Sequence, residues 1–255
     1  MLSKEQINDF SNNGFIILKN FLRNDYLEKL KETLMVMFSH NLKENIHNKK
    51  IDDVVNQLEG LDHSKVYNVQ KAICSSTEAL SLVNSLNLGE LYSDLYNIDK
   101  KKVHLQLLQT PVQFPNDDRF DFEWHQESGS YNSFSKILTC WFPILGSVNE
   151  IDGSMTLIPG SHKNGKREFT FVKKESGLND WRVQLKNGEE KEAVLAKIDP
   201  TDVILFDSDI IHKSVANVGK RIRVTGIVRA LDICSNSKIL PIQEMKNLNA
   251  KEYTE

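Results

Sequence analysis

A series of eight short β-rich runs between Val103 and Leu231 constrains the fold of this chain more than any other feature. Glycine, proline, asparagine and aspartate separate the runs, as they do in proteins built from many short strands. The runs are Val103–Phe114, Lys136–Ile144, Met155–Ile158, Phe169–Val172, Trp181–Leu185, Ala193–Ile198, Val203–Phe206 and Arg221–Leu231. Their number and spacing predict a mainly β fold, a double-stranded β-helix of the jelly-roll, cupin-like kind.

The region before these runs has apolar residues at helical spacing instead. Ser3–Gln6 is a capping box that predicts a first helix, Gly14 marks its end, and Phe15–Leu18 is typical of a short strand. A longer helix with one apolar stripe is predicted to begin at Asn24 or the next residue, and a further helical pattern covers residues 79–96.

Residues 41–66 are polar, and they predict irregular structure. We see no internal repeat, and no linker rich enough in proline, glycine or serine to separate domains. We therefore expect a single domain over residues 1–255, in which N-terminal helices (1–100) pack on a jelly-roll core (101–235) that is followed by a C-terminal extension (236–255).

The composition of the chain indicates which binding partners and which cellular compartment to expect. The 255 residues are 40% hydrophobic and 26% charged, which is ordinary for a globular protein, and the net charge of −3 gives no electrostatic case for binding nucleic acid. Three scattered cysteines are too few for a disulfide framework. The N-terminus is no signal peptide, and no apolar run approaches the length of a membrane span. We expect a cytoplasmic protein that binds neither nucleic acid nor a membrane.

The candidate chemistry lies in Trp124–Glu127 and in two later residues. His125 and Glu127 stand at i and i+2, a spacing that puts two side chains on the same face of an extended strand. With His212 from another strand they form a 2-His-1-carboxylate triad, which leaves adjacent positions open on iron(II). Arg223, eleven residues after His212, stands where a cosubstrate carboxylate needs a partner. A His-x-Glu triplet alone is a weak signal, but the four residues in this order are a strong one.

Three segments place these residues in a recognisable context. They are Asp152–His162, which ends in Pro-Gly-Ser-His, Asp202–Asp207, and His212–Ser214. Together with the Trp-His-x-Glu motif they resemble the phytanoyl-CoA dioxygenase family of iron(II)/2-oxoglutarate oxygenases, which includes the ectoine hydroxylases. The resemblance covers residues 100–232.

The resemblance implies an oxidoreductase, a dioxygenase with iron(II) as cofactor and 2-oxoglutarate and molecular oxygen as cosubstrates. His125, Glu127 and His212 would be its catalytic metal ligands. The family usually has aspartate where this chain has Glu127. Glutamate is longer by one methylene but keeps the charge and both oxygens, so we expect it to bind the metal. A glycine or alanine there would have indicated a halogenase.

The resemblance also implies three residues for the cosubstrate. Arg223 would bind the C5 carboxylate of 2-oxoglutarate, and Ser214, two residues after His212, would donate to that carboxylate. Gln109 and Gln113, four residues apart, have the spacing of two further cosubstrate contacts in the ectoine hydroxylases, and Gln109 is the preferred candidate of the two. Alternation in the last run puts Arg223 on the same face as two other arginines, so an exposed basic strand is the competing interpretation for all three.

The sequence leaves the substrate open. It predicts a small molecule, and hydroxylation, desaturation, cyclisation and epoxidation all fit the residues. Six cations between residues 163 and 182 either guide an anionic substrate or form a solvated hairpin; they are Lys163, Lys166, Arg167, Lys173, Lys174 and Arg182. Two other kinds of protein stay open, namely a non-oxidative, metal-dependent cupin-like enzyme and a non-catalytic binding domain. The oligomeric state is not predicted.

Overall fold

The computed structural model describes residues 1–42, 49–129, 136–174 and 179–235. Six α-helices are found among the described residues of the first hundred positions. They are α1 (Lys4–Asn13), α2 (Asn24–Leu42), α3 (Ile51–Leu61), α4 (His63–Ala72), α5 (Thr77–Ser85) and α6 (Leu88–Tyr96). The predicted C-terminal extension (236–255) lies outside the described residues.

Eleven strands are described, of which ten follow the helices. They are β1 (Phe15–Leu18), β2 (Val103–Leu105), β3 (Val112–Gln113), β4 (Ile137–Pro143), β5 (Met155–Leu157), β6 (Phe169–Lys173), β7 (Asn179–Val183), β8 (Val194–Leu195), β9 (Val203–Asp207), β10 (His212–Ser214) and β11 (Arg223–Asp232). The larger sheet has the order β1-β9-β4-β11-β2, with β3 also paired to β11, and a smaller sheet has the order β10-β5-β8. β6 and β7 form a separate two-stranded sheet. Every pairing is antiparallel, and the predicted jelly roll with N-terminal helices is confirmed.

The N-terminal helices pack on the outer face of the larger sheet through one apolar stripe per helix. In α2 the stripe is Leu27, Leu30, Leu34 and Phe38, all fully buried. These residues share one core cluster with the sheet residues Leu205 and Val228, among others. The opposite face of the sheet is thereby left for a cavity.

Local signals at the start of the chain have the predicted effect. The Ser3 hydroxyl accepts from the main-chain N–H of Gln6, the Gln6 side chain accepts from the N–H of Ser3, and Gly14 ends the helix in the left-handed region at φ 80°. The chain then turns directly into β1, which pairs with β9 at the edge of the larger sheet. The N-terminal helices are therefore connected through β1 to β9, the strand that precedes His212 in the chain.

Two sequence predictions about local structure are wrong. Residues 51–61 and 63–72 are helical, because Ile51, Val54, Val55 and Leu58 form an apolar stripe that polar neighbours obscure. The run Val103–Phe114 is not one strand but β2 and β3 with an isolated bridge between them at Gln109. Pro111 lacks the N–H that a continuous ladder would need.

Among the described residues, the structure contains no helix with the length and apolar character of a membrane span.

The predicted alternation in the last strand is confirmed. Ile222, Val224 and Val228 face the helical core. Arg223, Thr225, Ile227 and Arg229 face the interior cavity on the other side. β11 therefore connects the hydrophobic core with the candidate functional site.

Gly226 on β11 gives a stability test of this sheet. It lies opposite Phe142 of β4, and a Cβ at Gly226 would lie 2.2 Å from the Phe142 ring. We expect Gly226→Ala to cost about 1–3 kcal/mol, because the ring is packed and has no space to move into. The midpoint temperature of thermal unfolding (Tm) should then fall by roughly 3–10 °C. Gly60→Ala in α3 is the matched control, since its Cβ would meet nothing within 4 Å, and it should not lower the Tm. Equal effects of the two variants would contradict this packing.

Candidate functional site

The two predicted histidine ligands lie side by side. Each main-chain N–H of His125 and His212 donates to the other residue's carbonyl, at 2.9 and 3.1 Å, and the ring centroids are 4.1 Å apart. The Nδ1 of His125 donates to the Glu123 carbonyl at 2.6 Å, and that of His212 to the Ile210 carbonyl at 3.1 Å. These bonds fix the ring orientations and leave both Nε2 atoms as acceptors, the form in which histidine binds a metal.

Glu127 completes the cluster, but not by the predicted strand geometry. His125 forms an isolated β-bridge, and the chain then turns into a short 3-10 helix at Glu127–Gly129. This turn brings the carboxylate back over the histidines, with Glu127 Oε1 at 3.8 Å from His212 Nε2. The ligand atoms of the three residues lie within 4.8 Å of one another, so the donor set fits one metal ion.

Arg229 binds the candidate carboxylate ligand, which the sequence did not predict. Its Nε donates to Glu127 Oε2 at 2.7 Å and its Nη2 to Oε1 at 3.1 Å, while Nη1 donates to Gln109 Oε1 at 3.0 Å. Burial alone would raise the pKa of Glu127, but Arg229 and the two histidines outweigh it and lower that pKa to about 2. The carboxylate is thus an anion of fixed orientation. Gln109, predicted as a cosubstrate contact, lies on the cavity wall and orients this arginine.

Arg223 is a buried cation in the same cavity. Its main chain pairs with Gln113 of β3, and its Nη1 lies 3.4 Å from the Ser154 carbonyl. In the described part of the chain Arg223 forms no ion pair within 4.0 Å, and burial lowers its pKa to about 10, with Asp121 acting in the opposite direction. A guanidinium buried in this way is suited to binding a ligand carboxylate.

Ser214 and Gln113 differ in their access to the cavity. Ser214 lies on the wall with Arg223, and its hydroxyl donates to the Phe120 carbonyl at 3.2 Å. Its oxygen can still accept a further bond. Gln113 is buried, and its amide donates to Asp121 and to the Asp117 carbonyl. Gln113 therefore shapes the surroundings of Arg223 without facing the cavity.

The Pro-Gly-Ser-His segment supports the strand that carries His212. The Ser161 hydroxyl accepts from the Ile211 N–H at 2.8 Å, and the Ile158 N–H donates to the Ile211 carbonyl at 2.9 Å. His162 lies away from the metal ligands, and its Nε2 donates to the Ser11 carbonyl at 3.1 Å. The motif thus joins the end of α1 to the residues that precede His212.

Comparison with known proteins decides the family. The family model described as phytanoyl-CoA dioxygenase (PhyH) matches residues 10–225, most of the chain. The chain belongs to the phytanoyl-CoA dioxygenase family. Within this family member, the cluster of His125, Glu127 and His212 could hold a metal ion.

Curated relatives match a smaller part of this family member. Two 1-deoxypentalenic acid 11-beta-hydroxylases, from Streptomyces arenae and Streptomyces exfoliatus, are each 25% identical over 129 residues. The match covers 49% of this chain and 43% of each hydroxylase, so the chain spans less than half the length of these relatives.

Solved structures show the same fold over nearly the whole chain. EvdO2 from Micromonospora carbonacea var. aurantiaca superposes with a TM-score of 0.60 at 13% identity, covering 91% of both chains, and has also been crystallised with 2-oxoglutarate. SnoN, an epimerase from nogalamycin biosynthesis solved with Fe3+ and alpha-ketoglutarate, has a TM-score of 0.58 at 14% identity and covers 90% of this chain and 83% of its own.

A cavity of about 1190 Å³ opens beside the triad of this dioxygenase-family chain. Arg223, Thr225, Ile227 and Arg229 of β11 form its inner wall, and its outer part runs between α4 and residues 104–111. Pockets for drug-sized ligands are about 300–1,000 Å³. The cavity therefore has room for a substrate beside a small cosubstrate.

Several of the six cations of residues 163–182 are already engaged with the protein. Arg167 pairs with Glu189, its Nη1 lying 2.7 Å from Oε2, and Arg182 pairs with the buried Asp180. Lys174 donates to main-chain carbonyls of residues 118–121. These contacts favour a structural role for the segment over the steering of an anionic substrate.

Proposed function

We propose that this protein is an iron(II)/2-oxoglutarate-dependent dioxygenase that hydroxylates a small molecule and releases succinate and CO2. One observation carries the proposal: Arg223, a buried cation with no ion pair among the described residues, lines the same cavity as Arg229, which binds Glu127 of a fitting metal triad. A metal site alone would fit many enzymes. A separate carboxylate-binding group beside it is what a dicarboxylate cosubstrate requires.

Each residue has a distinct role in this proposal. His125, Glu127 and His212 would hold the iron, with Glu127 kept ionised and oriented by Arg229. Arg223 would bind the C5 carboxylate of 2-oxoglutarate, and the Ser214 hydroxyl would add a hydrogen bond next to it. Iron(II) and 2-oxoglutarate, when bound, supply the activation of molecular oxygen.

The protein's own contribution is orientation and the exclusion of water. Phe122 and Phe206 pack against the His125 and His212 rings, with centroids 5.9 and 4.8 Å away, and Trp141 covers the cavity nearby. An apolar environment strengthens the hydrogen bonds of Arg223 and Arg229 to carboxylates, because water does not compete for the same donors and acceptors. It also limits unproductive reactions with solvent.

Hydroxylation is preferred over other oxidative outcomes because the curated relatives are hydroxylases of an acid. The fold itself also supports other reactions, since SnoN is an epimerase. Two non-oxidative alternatives, a cupin-like metal enzyme and a non-catalytic binding domain, provide no reason for a buried arginine at the cavity.

Succinate release tests the proposal. The protein, reconstituted with iron(II) and given 2-oxoglutarate and oxygen, should form succinate slowly without substrate and faster with one. Omitting iron or replacing it with zinc should stop succinate formation, and so should omitting 2-oxoglutarate. A reaction that proceeds equally with zinc and without 2-oxoglutarate would support the cupin-like alternative instead. Binding of 2-oxoglutarate with no succinate under any metal would support a binding domain.

A further inference from the structure

The charged residues on the cavity wall are unbalanced. Three cations line the cavity, Lys71, Arg223 and Arg229, and no aspartate or glutamate does so among the described residues. Arg229 is matched by Glu127, which lies just behind the wall. In the proposed function Arg223 is matched by the cosubstrate. Lys71 is then the cation on the wall that neither the protein nor the cosubstrate neutralises.

Lys71 lies in the outer part of the cavity, on the last turn of α4. Its Nζ is 4.4 Å from the centroid of the Tyr67 ring, one turn earlier on the same helix, so the ring holds the ammonium at the wall. Within the described residues Lys71 forms no salt bridge. Its charge is therefore available to a ligand.

Most of the remaining cavity surface is apolar, although Gln70, His104 and Gln106 also line it. Tyr67 and Leu107 both line the cavity and are 46% and 45% exposed, so each presents apolar surface that the protein does not cover. Five further apolar residues line the same cavity: Leu105, Phe120, Trp141, Ile227 and Ile233. Exposed apolar surface that is continuous with a cavity indicates a ligand that covers it.

We propose that the substrate is a largely apolar molecule with one anionic group, a carboxylate or its equivalent, which pairs with Lys71 while its apolar body extends towards the iron. The oxidation of this substrate rests on the proposed function, but the binding of its anionic group by Lys71 does not. The anion would be held at the far end from the reacting carbon, so Lys71 would be a specificity-determining residue. The anion would therefore be recognised by α4 and not by the cations of residues 163–182.

The test uses matched acid and alcohol probes with the 255-residue protein. The pairs are decanoate with decan-1-ol and 1-naphthylacetate with 2-(1-naphthyl)ethanol, and binding is measured by calorimetry without iron or 2-oxoglutarate. For at least one pair the acid should bind about tenfold more tightly than the alcohol, because a charge-assisted hydrogen bond is stronger than a neutral one. Lys71→Ala should remove that preference and change alcohol binding less than about twofold, whereas Lys71→Arg should retain it.

Two controls separate this site from its neighbours. Lys65→Ala, on α4 but outside the cavity wall, should behave as the parent. Arg223→Ala should keep the preference for the acid. If neither acid binds, if acid and alcohol bind equally, or if the preference depends on Arg223 and not on Lys71, the proposal is overturned. Failure of the succinate assay with an intact Lys71 effect would refute the oxygenase and leave this binding site standing.

Discussion

His212→Ala should retain no stoichiometric iron(II) and form no succinate. Two remaining protein ligands hold a labile ferrous ion poorly, and the substitution also opens space between Phe206 and His125, whose rings pack on His212. The measurements are iron per chain after anaerobic gel filtration, and succinate released with 2-oxoglutarate present. His125→Ala should give the same loss, and since His125 is less buried than His212, it serves as a check against a mere folding defect.

His104→Ala is the matched control for both ligand variants. His104 is an exposed histidine on β2 that lines the cavity and does not belong to the ligand cluster. It should leave iron content unchanged. Stoichiometric iron in His125→Ala or His212→Ala, with native circular dichroism, would contradict the ligand assignment.

The architecture could be predicted from the sequence where the period of apolar residues was clean. The alternation in β11 predicted which side chains face the helices and which face the cavity, because a half-buried strand has a strict period of two. The same reasoning failed for α3, whose stripe of Ile51, Val54, Val55 and Leu58 lies among acidic and amide side chains. It also could not locate the break at Pro111, which depends on how β2 and β3 pair with β11.

At the candidate site, motifs predicted which residues meet but not how they are held. The 3-10 turn at Glu127 depends on contacts that are distant in sequence, such as the Ser128 N–H donating to the Ser208 carbonyl at 3.0 Å. Gln126, between the ligands, donates to the Asp209 carbonyl at 2.6 Å and so joins the two ligand segments. Local alternation placed Arg229 on the cavity face. Its pairing with Glu127, 102 residues away, required the tertiary structure.

Arg223→Ala should raise the concentration of 2-oxoglutarate needed for half-maximal succinate release by about 30-fold or more, and leave iron affinity nearly unchanged. Losing one partner of a buried, charge-assisted pair costs about 2–5 kcal/mol. The measurement is the KM for 2-oxoglutarate beside an anaerobic iron titration. Arg221→Ala, two residues before β11 begins, is the control, since Arg221 is largely exposed and pairs with Asp152 at 3.1 Å, and such pairs contribute little.

Arg229→Ala should instead change how strongly a metal ion stabilises the protein. The contrast with Arg223→Ala distinguishes the roles of the two arginines. Without Arg229 the buried Glu127 carboxylate loses both of its bonds from that arginine, a change that costs about 3–5 kcal/mol in a buried ion pair. A divalent ion can replace the missing cation, so manganese(II) should raise the Tm of Arg229→Ala by more than it raises that of the parent or of Arg223→Ala. If Arg223→Ala weakens metal binding and Arg229→Ala raises only the KM for 2-oxoglutarate, the two arginines have been assigned to the wrong partners.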